Sequence, residues 1–302
     1  MPDPEDVCVL VPTLNEAETI GEVVDEFGER GYTNVLVIDG RSDDGTAEVA
    51  AEHGARVVEQ TGTGKGQAIR EGLRRIETEY VLMLDGDGTY RPDDAERMLA
   101  PLDDGYEHVV GNRFAEMEDG AMTRLNTFGN RAINRAFRVI HGRDFKDILS
   151  GYRAFTRESA ERFRLDADGF GVETEMAVEC VRHDLPTTVV PVQYEERPED
   201  SETNLHPLRD GGNIVLTLYQ LAKTNNPLVY FGVMGLSSGL FGVLLGVYVG
   251  VEWFTRGISH EVLAIVAGVS ILFGVQLLIF GVLSDLIVTL HREQMRRIEE
   301  RR

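Results

Sequence analysis

Two aspartates, Asp85 and Asp87, follow the apolar run Tyr80-Val-Leu-Met-Leu and are separated by Gly86. A run of that length reads as a buried strand. In an open α/β sheet, residues at the carboxyl end of a strand project into the crevice where ligands bind. Carboxylates there suit a hard divalent cation such as Mg²⁺ or Mn²⁺, which takes oxygen ligands and shares them with substrate phosphates. Gly86 between them is expected to let a diphosphate approach the backbone. Taken alone, Asp-x-Asp also fits an acidic turn after a strand, so the neighbouring segments must decide.

Three further segments fall where strand ends should meet. Val11-Pro12-Thr13-Leu14-Asn15-Glu16 follows the first expected strand; Thr13 and Glu16 have capping-box spacing, and the same turn could cradle a nucleoside with its backbone and Glu16. Asp39 ends the second strand, placed to accept hydrogen bonds from a base or ribose, while Ser42 or Asp44 caps the next helix. Thr61-Gly-Thr-Gly-Lys65-Gly66 lacks the spacing of a Walker loop, yet glycines and a lysine leading into a helix suit an anionic ligand.

The elements that must position these residues alternate. Apolar, β-branched runs at 7–11, 34–39, 55–59, 80–84, 108–111 and 187–194 predict strands. Helical patterns fall at 16–30, 45–53, 66–77, 92–102, 122–141 and 173–183. Alternation of this kind implies an α/β domain with a mainly parallel sheet and helices on both faces. Beyond it, residues 228–251 and 262–283 carry no charge. Each exceeds the roughly 20 apolar residues that cross a bilayer as a helix. The organisation expected is a catalytic domain over 1–212, an interfacial helix or linker over 213–226, and a two-helix transmembrane hairpin with a basic tail over 227–302. A soluble helical hairpin is the competing reading. Arginines after the second span, against Arg256 alone in the connecting loop, predict that the carboxyl terminus and the large domain are cytoplasmic.

The formal charge of −21 lies in the first three quarters of the chain, because from Asn226 onward six acidic residues face six arginines. Lys65, Lys146 and Lys223 are the only lysines. An acidic, lysine-poor surface suits concentrated salt, where carboxylate repulsion is screened to short range. Nucleic acid is excluded as a partner, since its binders carry the opposite sign. Cys8 and Cys180 are too few and too far apart for a disulfide framework or a zinc site. The acidic start, Met1 to Asp6, has no apolar h-region, so no signal peptide is expected.

Together the segments resemble the family 2 inverting glycosyltransferases of the GT-A fold, and among them the dolichyl-phosphate mannose and glucose synthases. The pieces that carry the likeness are Val11–Glu16, Ile38-Asp39 with Asp44-Gly-Thr46, Gly64-Lys65-Gly66 and Asp85-Gly-Asp87-Gly88. Further on come Gly111-Asn-Arg113-Phe114, Asp147-Ile-Leu-Ser-Gly-Tyr-Arg153, Glu173-Thr-Glu175 and Val190-Pro-Val192. With the acidic composition and the hairpin, the chain is similar to haloarchaeal enzymes that load the first hexose onto dolichyl phosphate for S-layer protein N-glycosylation.

The resemblance implies a nucleotide-sugar donor, with UDP-glucose expected and GDP-mannose as the alternative, a dolichyl phosphate acceptor in membrane lipid, and Mg²⁺ or Mn²⁺ on Asp85 and Asp87. It gives Pro12, Leu14, Glu16, Asp39, Lys65 and Asp85 to the donor nucleotide. Asp87 and Asp147 fall to catalysis, and Arg113, Arg124, Arg131, Glu175 and Arg197 to the transferred sugar and acceptor. Two departures stand out: Ser201–His206 lacks the family's lysine, leaving that charge to Arg197 or Arg209, and Gly40 replaces a second aspartate. A reading of another class is a non-catalytic protein that binds or flips a lipid-linked sugar.

Overall fold

The structure, a computed structural model, describes residues 1–118, 120–169, 171–196 and 227–299, with side chains to residue 290. It divides into two units, Met1–Thr217 and Leu218–Arg302. Arg197, the 201–206 segment, Arg209 and the expected interfacial helix lie outside the described residues.

In the first unit, seven strands form one sheet: β1 (Val7–Thr13), β2 (Val35–Asp39), β3 (Arg56–Glu59), β4 (Tyr80–Met83), β5 (His108–Met117), β6 (Arg153–Thr156) and β7 (Thr187–Tyr194). Their spatial order is β3-β2-β1-β4-β6-β5-β7, and β6 alone runs antiparallel to its neighbours. The helices are α1 (Ala17–Glu29), α2 (Thr46–Glu52), α3 (Lys65–Leu73), α4 (Ala95–Asp103), α5 (Arg124–His141), α6 (Arg157–Glu161) and α7 (Val172–Arg182).

Side chains alternate across the sheet, as strand geometry requires. Val7, Val9 and Val11 of β1 join Ile20, Val24 and Phe27 of α1 with Met98 and Leu99 of α4. Cys8 and Leu10 face the other way, onto Ala68 and Ile69 of α3 and Val172 and Met176 of α7. A strand buried on both faces has to be apolar throughout, which is why β1 reads Val-Cys-Val-Leu-Val. Pro12 is tolerated in this central strand for a local reason. Val9 bonds to Asn34 and Thr13 to Gly40 on the β2 side, so the Pro12 nitrogen turns towards β4. The β1–β4 register there has already ended at Leu10–Met83, and no ladder bond is lost.

The second unit is a helical hairpin, α8 (Pro227–Arg256) and α9 (Glu261–Glu299), turning through Gly257 at φ +66°. By length and composition both helices can cross a membrane, over the stretches Pro227–Arg256 and Glu261–Leu290. They pack through small residues. A Cβ at Gly235 would come within 2.7 Å of the Gly274 carbonyl, and one at Gly242 within 2.7 Å of the Ala267 carbonyl. Ser238 donates to the Ser270 carbonyl at 2.9 Å. Close backbone approach at small residues is how helices associate without a hydrophobic driving force.

Candidate active site

The loops after β1, β2 and β4 interlock at the carboxyl ends of their strands. The expected capping box at Thr13 and Glu16 does not form: the backbone N–H groups of Glu16 and Ala17 instead donate to Thr46 Oγ1 at 2.8 Å and Asp44 Oδ2 at 3.0 Å. A neighbouring loop thus satisfies the start of α1, which sequence spacing cannot reveal. Asp44 also accepts from the Thr46 N–H (3.0 Å) and hydroxyl (2.5 Å). Burial opposes the charge on Asp44, but these bonds outweigh it and hold the carboxyl below its usual range. Asp39, buried at 3 % exposure, accepts from the Ser42 N–H and hydroxyl at 2.9 and 2.6 Å. Ser42 in turn receives the Asn15 N–H at 2.9 Å. Asp39 therefore shapes the turn next to Leu14, and its remaining lone pairs are what a nucleoside can use.

Asp85 and Asp87 sit just past β4, as expected. Asp87, 3 % exposed, is oriented by the Thr89 N–H (3.1 Å) and hydroxyl (2.6 Å), both on Oδ1. Packing by itself requires glycine at 86. A Cβ there would lie 2.5 Å from Glu16 Oε2 and 2.7 Å from Thr13 Cγ2, and the Thr19 hydroxyl donates to its carbonyl at 2.6 Å. The chain itself fills the space a side chain at 86 would need.

Gly64 and Gly66 are likewise required by the chain's own packing. A Cβ at either would overlap the carbonyl of Asp168 or Ala167, and the Gly66 N–H donates to the Asp168 carbonyl at 2.8 Å. The glycines admit a crossing loop. That loop is held by Arg70, which donates to the Ala167 carbonyl at 2.7 Å, and by Glu175, which accepts the Asp166 and Ala167 N–H groups at 2.9 and 2.8 Å. Burial raises the Glu175 carboxyl above its usual range. Glu175 thus faces loop backbone.

Lys65 lies between two carboxylates, 2.5 Å from Asp85 Oδ1 and 2.6 Å from Glu173 Oε1. Burial works against its charge; the two anions outweigh burial and push the ammonium pKa up. Asp85 is packed against Gly151, where a Cβ would lie 2.5 Å from Oδ2.

Arg113, on β5, forms a two-pronged pair with the fully buried Asp147: Nε to Oδ2 at 2.7 Å and Nη2 to Oδ1 at 2.9 Å, with the Arg113 N–H at 3.2 Å. Its guanidinium lies over the Tyr194 ring, 5.3 Å from the centroid. Tyr90 joins the two halves of the site: its hydroxyl accepts the Gly151 N–H at 2.9 Å, and its ring meets Tyr152 and Tyr194 edge-on.

Behind the site stands Arg153, wholly buried and paired with no carboxylate among the described residues. It donates to the carbonyls of Ser150 (3.1 Å), Ile148 (2.7 Å) and Glu173 (2.9 Å), and lies 3.2 Å from His108 Nε2. Burial first, and the Arg153 charge second, hold His108 well below the usual imidazole range. The ring is neutral and accepts from the guanidinium. Arg153 thereby fixes the loop that carries Asp147 and Gly151.

The structure brings Pro12, Leu14, Glu16, Asp39, Lys65, Asp85, Asp87, Arg113 and Asp147 to one edge of the sheet. Arg124 and Arg131 stand apart on the exposed face of α5, Arg131 above the Phe114 ring at 5.8 Å. Sequence reasoning assigned no role to Thr89, Tyr90 and Arg70, and none to the Thr46 hydroxyl; all four hold a functional loop. Thr89 and Tyr90 directly follow the Asp85–Gly88 motif, which was a signal; Arg70, a turn beyond Gly66, carried none.

No group of three or more His, Cys, Asp or Glu side chains able to hold a metal by themselves occurs among the described residues. The donor set still fits a hard cation of another kind, one bound by one or two carboxylates and completed by substrate phosphates. Asp87 is buried and pre-aimed by Thr89, with Asp85 two residues away.

A mixed, mainly parallel sheet with an Asp-x-Asp pair at the end of a central strand is the GT-A arrangement, and the chain belongs to glycosyl transferase family 2, whose family model matches residues 8–164. It is 62 % identical over 301 residues to glycosyltransferase AglJ of Haloferax volcanii, covering 99 % of each chain. A dolichyl-phosphate hexose transferase from the same organism is 32 % identical over 212 residues, 70 % of this chain and 91 % of that one. The fold is also that of glucosyl-3-phosphoglycerate synthase from Mycobacterium tuberculosis, solved with Mn²⁺ and UDP-glucose: TM-score 0.59 at 24 % identity, covering 72 % of this chain and 79 % of that one. The protein is a glycosyltransferase of glycan biosynthesis.

Proposed function

We propose that the enzyme transfers one hexose from a nucleotide sugar, UDP-glucose, to dolichyl phosphate with inversion at the anomeric carbon, at the start of lipid-linked glycan assembly for protein N-glycosylation. The observation that carries this reading is the pairing of a buried, pre-oriented Asp87 with a buried Arg113–Asp147 clamp on the same sheet edge. One half suits a metal-bound diphosphate and the other an anionic acceptor. The relatives named for glycosyl transfer and for dolichyl-phosphate hexose transfer support it, as does the M. tuberculosis enzyme solved with UDP-glucose.

Asp87, with Asp85, would hold Mg²⁺ or Mn²⁺, and that cation would offset charge building on the leaving diphosphate. The loops at Pro12–Glu16 and Asp39 bind the nucleoside. Lys65 holds Asp85 in place and keeps the Glu173 carboxylate neutralised. Arg113 presents the free edge of its guanidinium to the acceptor phosphate, a group whose planar fork matches phosphate oxygens. Arg124 and Arg131 extend that charge along α5. Asp147 orients Arg113; no general base is needed, because a phosphate monoester is already ionised near neutral pH. The hairpin anchors the enzyme in the membrane, with the catalytic unit and carboxyl terminus on the cytoplasmic side where nucleotide sugars are made.

Mass spectrometry of lipids formed from dolichyl phosphate and a panel of donors in high salt tests this. The expected product carries one hexose on one phosphate, from UDP-glucose. A hexose joined through two phosphates, or an unmodified lipid with every donor, overturns the reading; exclusive use of GDP-mannose overturns the donor alone.

A further inference from the structure

The charge-free stretch of α9, residues 262–283, has two polar side chains, Ser270 and Gln276. Gln276 is the larger, and it is exposed. Counting 1.5 Å per residue, it lies about 22 Å from Glu261 and about 14 Å from Asp285, well inside a hydrocarbon layer about 30 Å thick. Its amide offers two donors and an acceptor, and it makes no hydrogen bond with any described residue. By contrast, the Ser237 and Ser238 hydroxyls on α8 donate to the carbonyls of Val233 and Ser270. With no water in the bilayer core, an amide left bare to lipid is costly, and the partner that relieves it has to be polar.

The place of Gln276 on the helix identifies that partner. Ala267, Gly274 and Gly281 recur every seven residues and form the face against α8. A Cβ at Gly274 would come within 2.6 Å of the Gly235 carbonyl, and one at Gly281 within 3.3 Å of Phe231 Cβ. Gln276 stands two residues beyond Gly274, about 200° round the helix at about 100° per residue, on the side away from α8. The same seven-residue period runs along that outer face. Val269, Leu272, Gln276, Ile279 and Leu283 are spaced alternately by three and four residues, and all are exposed. This is the a/d spacing of a coiled coil, with Gln276 at an a position. The aromatic side chains of α9, Phe273 and Phe280, fall beside the seam, which leaves aliphatic groups and one amide to interlock.

We propose that α9 pairs in the membrane with α9 of a second copy of the chain, the two Gln276 amides hydrogen-bonded to each other across a two-fold axis. Copies inserted the same way are parallel, so each Gln276 meets its twin at the same depth. An amide is donor and acceptor at once and therefore complements itself. A single polar residue at an a position fixes register and strand number, because every slipped pairing sets it against aliphatic side chains. A polyprenyl chain has no hydrogen-bonding group and would leave the amide bare; an unrelated helix would have to bring a polar group to that one depth. The pairing rests on the membrane reading of the hairpin and is independent of the donor and acceptor proposed for the catalytic unit.

Oxidative cross-linking of single cysteines with copper phenanthroline tests this, in native membranes holding the full-length protein with Cys8 and Cys180 replaced. Leu272→Cys and Ile279→Cys, at the d positions flanking Gln276, should each give a disulfide-linked product of two chains. Leu244→Cys, exposed on α8, should not. Adding Gln276→Leu, which keeps the seam apolar and removes the amide, should abolish both products, whereas Gln276→Asn should keep them. Retention in membranes washed with alkaline carbonate is the check that each variant is inserted. Inserted protein that fails to cross-link at 272 and 279, or that cross-links there equally well with Gln276→Leu, overturns the proposal and leaves the hairpin standing. Cross-linking through Leu244→Cys alone moves the interface to α8, and a product without twice the mass of one chain assigns the seam to a different protein; either result overturns the pairing. Release of the unsubstituted protein by carbonate overturns the membrane reading itself.

Discussion

Asp147 and Arg113, 34 residues apart in the chain, meet through three hydrogen bonds in a site where Asp147 has no solvent exposure. A carboxylate committed three times to one residue is built to hold that residue. Arg113→Ala is expected to raise the KM for dolichyl phosphate by about 10- to 150-fold, the equivalent of roughly 1.5–3 kcal/mol for a lost charge-assisted bond. Asp147→Asn should shift the same KM in the same direction by a smaller factor, since it leaves the guanidinium present and poorly aimed. Steady-state kinetics with each substrate varied separately decides; a change confined to the donor KM removes Arg113 from the acceptor side.

Asp87→Ala is expected to abolish transfer while the protein stays folded and inserted. Loss of charge stabilisation on the leaving diphosphate, worth several kcal/mol, lowers kcat on the order of a hundred-fold or more. Incorporation of labelled hexose into lipid, with circular dichroism as the folding control, measures it. Near-wild-type turnover at saturating Mg²⁺ or Mn²⁺ would take the metal role away from this residue.

Lys65→Ala strands the Glu173 carboxylate, 4 % exposed, beside Asp85 without a counter-charge. Breaking a buried pair by removing one partner costs about 3–5 kcal/mol, so a lower thermal midpoint is expected. The double variant Lys65→Ala/Glu173→Gln should recover part of that loss. Failure to recover it would mean that Lys65 stabilises through packing, with its charge secondary.

His108 gives a pH dependence with a definite sign. Burial holds its folded pKa well below the ordinary imidazole value of about 6.5. The unfolded chain therefore takes up a proton that the folded chain refuses: the contribution is complete above pH 6.5 and declines as pH falls below it, by up to about 1.4 kcal/mol per unit for one proton. His108→Gln should flatten the thermal midpoint between pH 6.5 and 5. An unchanged slope would assign the acid sensitivity elsewhere.

The connecting loop of the hairpin is expected outside and its arginine-rich end inside. With Cys8 and Cys180 replaced, Ser259→Cys should react with a membrane-impermeant maleimide on intact cells and Gln294→Cys should not. The reverse pattern would separate the active site from cytoplasmic nucleotide sugars.

The strands that bear the site were legible because each is an apolar run stopped by a polar turn. Val7 to Val11, the segment ending at Asp39 and the segment ending before Asp85 all lie where expected. β6 was not legible: Arg153-Ala-Phe-Thr156 is four residues long, begins with an arginine, and pairs antiparallel with strands far away in sequence. β5 runs to Met117 rather than ending at Gly111. Its polar Asn112 and Arg113 look like a loop until Asp147 supplies the partner that makes a buried guanidinium tolerable. The packing role of the glycines was not legible for the same reason. Composition announces a close approach at Gly64, Gly66 and Gly86, but only the folded chain says that the approaching group is its own backbone or side chain.

The crossing at Gly64 and Gly66 also orders events during synthesis. The Gly66 N–H at the amino end of α3 donates to the Asp168 carbonyl, in a loop held by Glu175 on a helix that leaves the ribosome about a hundred residues later. Local turns can form early, whereas a contact of such sequence separation waits for its distant half. Nascent chains shorter than about 180 residues therefore carry Asp85 and Asp87 without the framework that seats Lys65 between Asp85 and Glu173. The Asp85–Lys65–Glu173 cluster is therefore expected to close only after α7 has been made.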